Sequence, residues 1–110
     1  MHDNAQKVAS FLKAIANENR LLILHHLADG EKSVSELELL LGIRQPTLSQ
    51  QLARLRADGL VTTRRAAKLI YYSLASEDAY RVIQFLESRF GNATGDEVRN
   101  LPRRELAIAE

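Results

Sequence analysis

Turn signals cut this chain into pieces with room for short helices and little else. Asp29-Gly30, Gly42, Asp58-Gly59 and Gly91 each close a stretch in which apolar residues recur at helical spacing. Val8, Phe11, Leu12 and Ile15 form the stripe of a first helix over roughly residues 4–16. A second runs from Glu18 to Leu27 through the apolar run RLLILHHL. The third starts at Ser33, an N-cap residue with Glu36 at the capping-box spacing, and passes through Leu37, Leu40 and Leu41 to Gly42. The fourth is RQPTLSQQLARLRADG, residues 44–59. Pro46 is tolerated in its first turn because those N–H groups have no intrahelical partner.

After Gly59 the pattern changes. LVTTRR and KLIYYSL are rich in β-branched and aromatic residues and predict two strands of a hairpin joined at Ala66-Ala67. Arg64, Arg65 and Lys68 then fall at or near its tip, and Ile70, Tyr72 and Leu74 share the face assigned to the core. Ser76 caps a last helix whose stripe is Ala79, Val82, Ile83, Leu86 and Phe90. Residues 1–91 therefore predict one mainly α domain with a β-hairpin wing, in the order α-α-α-α-β-β-α. With a Gly42 turn between the third and fourth helices, this is the winged helix-turn-helix arrangement. Residues 92–110, NATGDEVRNLPRRELAIAE, have weak periodicity and contain Pro102, and are expected to form a mobile tail.

Charge locates the working surface. The net charge is only +1, but Arg44, Arg54, Arg56, Arg64, Arg65 and Lys68 fall within residues 44–68 against Asp58 alone. The flanking parts of the chain are both acidic, so the basic charge is focused as a phosphate-binding surface requires. On the fourth helix Leu48, Leu52 and Leu55 make one narrow stripe (i, i+4, i+7) that must pack inward. The opposite face holds Pro46, Gln50, Ala53 and Ala57, flanked by Thr47 and Arg54 on one side and Ser49 and Arg56 on the other. A solvated helix face normally mixes Glu with Lys, whereas this one has no carboxylate before Asp58. Gln pairs bidentately with adenine, Ser and Thr suit bases or phosphates, and small alanines let a helix approach a groove. Arg44, Gln45, Thr47, Ser49, Gln50 and Arg54 are the candidate contacts of this helix, and Arg64, Arg65 and Lys68 those of the wing. A bland reading of the wing cations, as protection of an open strand edge, stays open beside it.

Other classes find less support. No apolar run approaches the ~18 residues of a membrane span, and MHDNAQKVASF lacks a secretory profile, so a cytoplasmic protein is the simplest reading. The absence of cysteine removes disulfides, thiolate metal sites and thiol switches together. Glu77, Asp78 and the histidines form no acid–base or nucleophile constellation, so no enzyme is expected. His25 and His26 are adjacent and point about 100° apart on a helix, which does not converge them on one ion; no metal or cofactor is expected.

The combination of FLKAIANENRLLIL, SVSELELLLGIRQPTLSQQLARLRADGLV and TTRRAAKLIYYSL closely resembles the ArsR/SmtB family of dimeric bacterial winged-helix repressors, over about residues 8–90. Within it the chain is most similar to the BigR/SqrR/HlyU/NolR branch. The resemblance implies a homodimer formed through the first and last helices, which matches the stripes of Val8, Phe11, Leu12, Ile15 and Val82, Ile83, Leu86, Phe90. It also implies binding to a palindromic double-stranded DNA operator. The departures bear on sensing. Ser33 and Ser35 stand where some relatives carry Cys-x-Cys, and Asp78-Ala79-Tyr80 where others carry Asp-x-His. His25 and the neighbourhood of Gly91 replace the cysteine pair of the redox-sensing relatives. The expectation is a repressor without the cysteine-based sensing sites of the family. A winged-helix module that binds protein, or a regulator controlled by a non-thiol small molecule, stays open as an alternative.

Overall fold

The computed structural model describes residues 1–91, and the tail expected over residues 92–110 lies outside them. After a single 3₁₀ turn the helices are α1 (Ala5–Ile15), α2 (Glu18–Ala28), α3 (Val34–Leu41), α4 (Gln45–Ala57) and α5 (Glu77–Leu86). A wider π-type turn, Glu87–Gly91, prolongs α5. Three antiparallel strands, β1 (Lys32–Ser33), β2 (Val61–Ala66) and β3 (Leu69–Leu74), form a sheet in the order β1-β3-β2.

Local chemistry sets the boundaries. The Asn17 side chain accepts from the Arg20 N–H at 3.0 Å and starts α2. Ser33 and Glu36 form the expected capping box: Ser33 Oγ accepts the Glu36 N–H at 3.1 Å and Glu36 Oε1 accepts the Ser33 N–H at 2.9 Å. Ser76 Oγ accepts the Ala79 N–H at 3.0 Å and starts α5. Gly42 ends α3 in the left-handed region, φ 66°, where its N–H reaches the Glu38 carbonyl at 2.8 Å. A side chain there is strained, so glycine suits the sharp reversal from α3 into α4.

Ile23, Leu24, Leu37, Leu48, Leu52 and Leu55 are completely buried and form the centre of the core. The stripe expected on α4 thus packs inward as a unit, and each leucine removed from water contributes about 1.5–3 kcal/mol. Ala14, Ile15, Leu60, Val61, Ala79 and Ile83 close the core from the ends.

Three expectations need correction. The hairpin turn is Ala67-Lys68 rather than Ala66-Ala67, since Ala66 pairs with Leu69 and only Ala67 has a positive φ, 56°. Neither residue is a Gly or Asn, so the sequence held no turn signal to fix the register. Ile70 is exposed rather than in the core, although Tyr72 and Leu74 do pack against it. Ile70 faces Arg65 in the outer half of the hairpin, past the point where β1 pairs with Tyr71 and Tyr72. On α3, Leu37 carries the burial, while Leu40 faces solvent together with the neighbouring Leu39.

Candidate nucleic-acid interface

Every polar residue singled out on α4 faces outward. Arg44, Gln45, Thr47, Ser49, Gln50 and Arg54 are exposed, as are Pro46, Ala53, Arg56 and Ala57 between and beside them. With Leu48, Leu52 and Leu55 locked into the core, α4 cannot turn about its own axis without exposing leucine. Arg44 occupies the N-cap position without a side-chain cap bond, which leaves its guanidinium directed by solvent or a ligand. Arg54 is differently placed: its Nε–H donates to Asp58 at 2.9 Å, an i,i+4 pair at the end of α4. Such a pair contributes a few tenths of a kcal/mol and yields readily to a phosphate.

The wing carries Arg65 and Lys68, both exposed, and neither forms an ion pair among the described residues. Arg64 is not at the tip. Its guanidinium makes a two-point contact with the Glu31 carboxylate, at 2.7 and 2.6 Å, and lies 4.7 Å from the centre of its cross-strand neighbour Tyr71. Ser73 Oγ donates to the same carboxylate at 3.3 Å. This Arg64 hydrogen bonding, before any other influence, holds the Glu31 carboxyl below its ordinary value of 4.5. The pair is therefore complete above that value and is lost only as pH falls through the lowered one. Glu31 went unnoticed in the sequence, where nothing links it to a residue 33 positions away.

Glu31 subtracts one charge from the wing. Glu31→Gln is expected to raise affinity for any duplex and to steepen its salt dependence by about 0.9 per protomer, the increment for one added phosphate contact. Fluorescence anisotropy against salt concentration checks this, and an unchanged slope would show that Arg64 stays clear of DNA.

The histidines do not gather a metal site, and no group of three or more His, Asp or Glu side chains comes together for a metal among the described residues. His25 Nδ1 contacts a Glu87 carboxylate oxygen, tying α2 to the turn after α5. His26 packs edge-on against His25, ring centres 4.9 Å apart. Burial first, and then the neighbouring His25, lower the pKa of His26 from its ordinary 6.5. The folded chain therefore resists the proton that the unfolded chain takes up, and stability falls as pH drops below 6.5 towards the lowered value. The loss in Tm between about pH 7.5 and about pH 5.5 should shrink in His26→Asn, read by thermal denaturation; an equal loss in both proteins would assign it elsewhere.

The terminal helices divide the residues expected at a dimer contact. Leu12 is 50% exposed and Phe90 53%, and Val8, Phe11, Val82 and Leu86 are half-buried. Ile15 and Ile83 are only 5% and 3% exposed, so both spend their surface inside the protomer. Phe85, 60% exposed on α5, lies outside the stripe read from the sequence and is a further exposed apolar residue of that helix.

The succession of α3, the Gly42 turn, an outward-facing α4 and a basic hairpin meets known proteins at this point. Residues 17–63, from the start of α2 into β2, match the family model described as bacterial regulatory protein, arsR family. The chain is 52% identical over 90 residues to a biofilm growth-associated repressor of Agrobacterium fabrum, covering 82% of this chain and 77% of that protein. The chain belongs to the arsR family. Its fold matches reduced HlyU of Vibrio cholerae N16961 with a TM-score of 0.79 at 46% identity, covering 82% of this chain and 95% of that one. It also matches a homodimeric winged helix-turn-helix DNA-binding domain from Mycobacterium bovis, with a TM-score of 0.69 at 36% identity and coverage of 79% and 81%. This regulator is accordingly a DNA-binding transcription factor and not an enzyme. No helix among its described residues is long and apolar enough to cross a membrane.

Proposed function

We propose that this regulator works in the cytoplasm as a homodimeric repressor, holding a palindromic operator with α4 in the major groove and the wing on the adjacent backbone. The observation that carries the reading is the outer face of α4: ten consecutive-turn positions from Arg44 to Ala57 lie exposed without one carboxylate. Gln50 stands at its centre as the base reader, with Thr47 and Ser49 beside it. Arg44, Gln45 and Arg54 serve phosphates or guanine, while Arg65 and Lys68 follow the sugar–phosphate chain and Arg64 joins them where it is released from Glu31.

A homodimer is supported by the exposed apolar residues Leu12, Phe85 and Phe90 on α1, α5 and the turn after it. Such residues on one small domain are best accounted for by a second copy that covers them. With no cysteine in the chain, release from DNA does not run through thiol chemistry. Light scattering with and without duplex tests the reading: twice the chain mass alone, and one dimer per duplex, is expected. A monomer at micromolar concentration, or binding unaffected by salt, contradicts it.

A further inference from the structure

Arg20 is the only charged side chain buried among the described residues, and neither the core nor the DNA-facing surface accounts for it. Its guanidinium makes three hydrogen bonds to two other helices. Nε–H donates to the Ala14 carbonyl at 2.6 Å and Nη2–H to the Lys13 carbonyl at 3.1 Å. Both acceptors belong to the last turn of α1, where carbonyls lack intrahelical partners and the helix dipole favours a cation. The third donor, Nη1–H, reaches the Gln51 side-chain oxygen on α4 at 2.8 Å. Because the guanidinium is planar and rigid, these three bonds hold the end of α1 and the side of α4 in one fixed relation.

A crevice of about 690 Å³ runs between Asp3, Lys7 and Phe11 on one wall and Asp58 and Leu60 on the other. Ala14, which accepts from Arg20, also borders this crevice, so the polar tie lies at the edge of open space. Gln51 also follows Gln50 directly, so any displacement at Gln51 is passed to the base-reading position.

We propose that Arg20 and Gln51 are positioning residues for sequence recognition: they fix α4 relative to α1, and so set where the reading face meets the groove. The inference rests on the reading of α4 as the helix that contacts bases. Neither residue reads a base itself. Loss of the tie lets α4 shift against α1, which lowers affinity for the specific site and leaves binding to random duplex unchanged.

The absence of natural cysteine makes the test direct. Ser10→Cys on α1 and Ser49→Cys on α4, both exposed, carry spin labels, and diluting labelled with unlabelled protein isolates distances within one protomer. Without DNA, the parent protein should give one narrow distance. Gln51→Ala, which keeps the Arg20 bonds to α1, should broaden it, and Gln51→Glu, which restores an acceptor, should narrow it again. In unlabelled protein, Gln51→Ala should lower the ratio of specific to random-duplex affinity, roughly tenfold where about one molecule in ten keeps α4 at the parent position. An unchanged distance distribution in Gln51→Ala overturns the proposal, as does an equal loss of affinity for both duplexes, which would make Gln51 a direct DNA contact. If the parent protein itself shows no sequence preference, the reading of α4 fails while the distance measurement still decides the role of the tie.

Discussion

Gln50→Ala is expected to leave the protein folded and bound to DNA but nearly indifferent to one base pair of each half-site. Gln50 lies exposed at the centre of the outward face of α4, between Ser49 and the inward-turned Gln51. Its removal opens no cavity, and alanine is the better helix former, so stability should change by less than about 0.5 kcal/mol. Recognition is a different matter. A bidentate glutamine–adenine contact discriminates by about 1–3 kcal/mol, and a dimer makes the contact twice. Titration of duplexes substituted at each position should show the preference at that base pair disappear while preferences elsewhere persist. If the variant discriminates at every position as the parent does, Gln50 reads no base.

The double variant Arg65→Ala, Lys68→Ala should behave in the opposite way, weakening all duplexes together and leaving base preferences intact. Both side chains are exposed, and neither has an ion-pair partner among the described residues. They are thus available to phosphate in a way that Arg64, engaged by Glu31, is not. Two contacts on each of two protomers, at about 0.9 per phosphate, make the salt dependence shallower by roughly 3.6 logarithmic units. The slope of log affinity against log salt measures this. A slope that stays at the parent value would move the wing away from the backbone.

Where a periodic stripe or a cap determines an element, the sequence is enough to find it. Leu48, Leu52 and Leu55 orient α4, and Ser33 with Glu36 starts α3, because both depend on residues a few positions apart. What escapes is set by distant parts of the chain. Lys32-Ser33 are too short to show a strand period, and they form β1 only because β3 is there to pair with. The Glu31–Arg64 pair follows from that same strand, which brings Glu31 beside the wing. Alternation puts Ile70 on the same side of β3 as Tyr72 and Leu74, yet cannot tell that the body of the domain ends short of it. Arg20 did leave a signal: it shares the stripe of Ile23, Leu24 and Leu27, so a charge there must be buried and paired. Its partners on α1 and α4 become visible only in three dimensions.

Selection of bound duplexes from a random pool shows whether two copies of α4 read DNA together. Two copies of α4 related by two-fold symmetry should enrich an inverted repeat with half-site centres about 10 base pairs apart, or one helical turn. Recovery of a single asymmetric site, or of no sequence preference at all, would contradict the account.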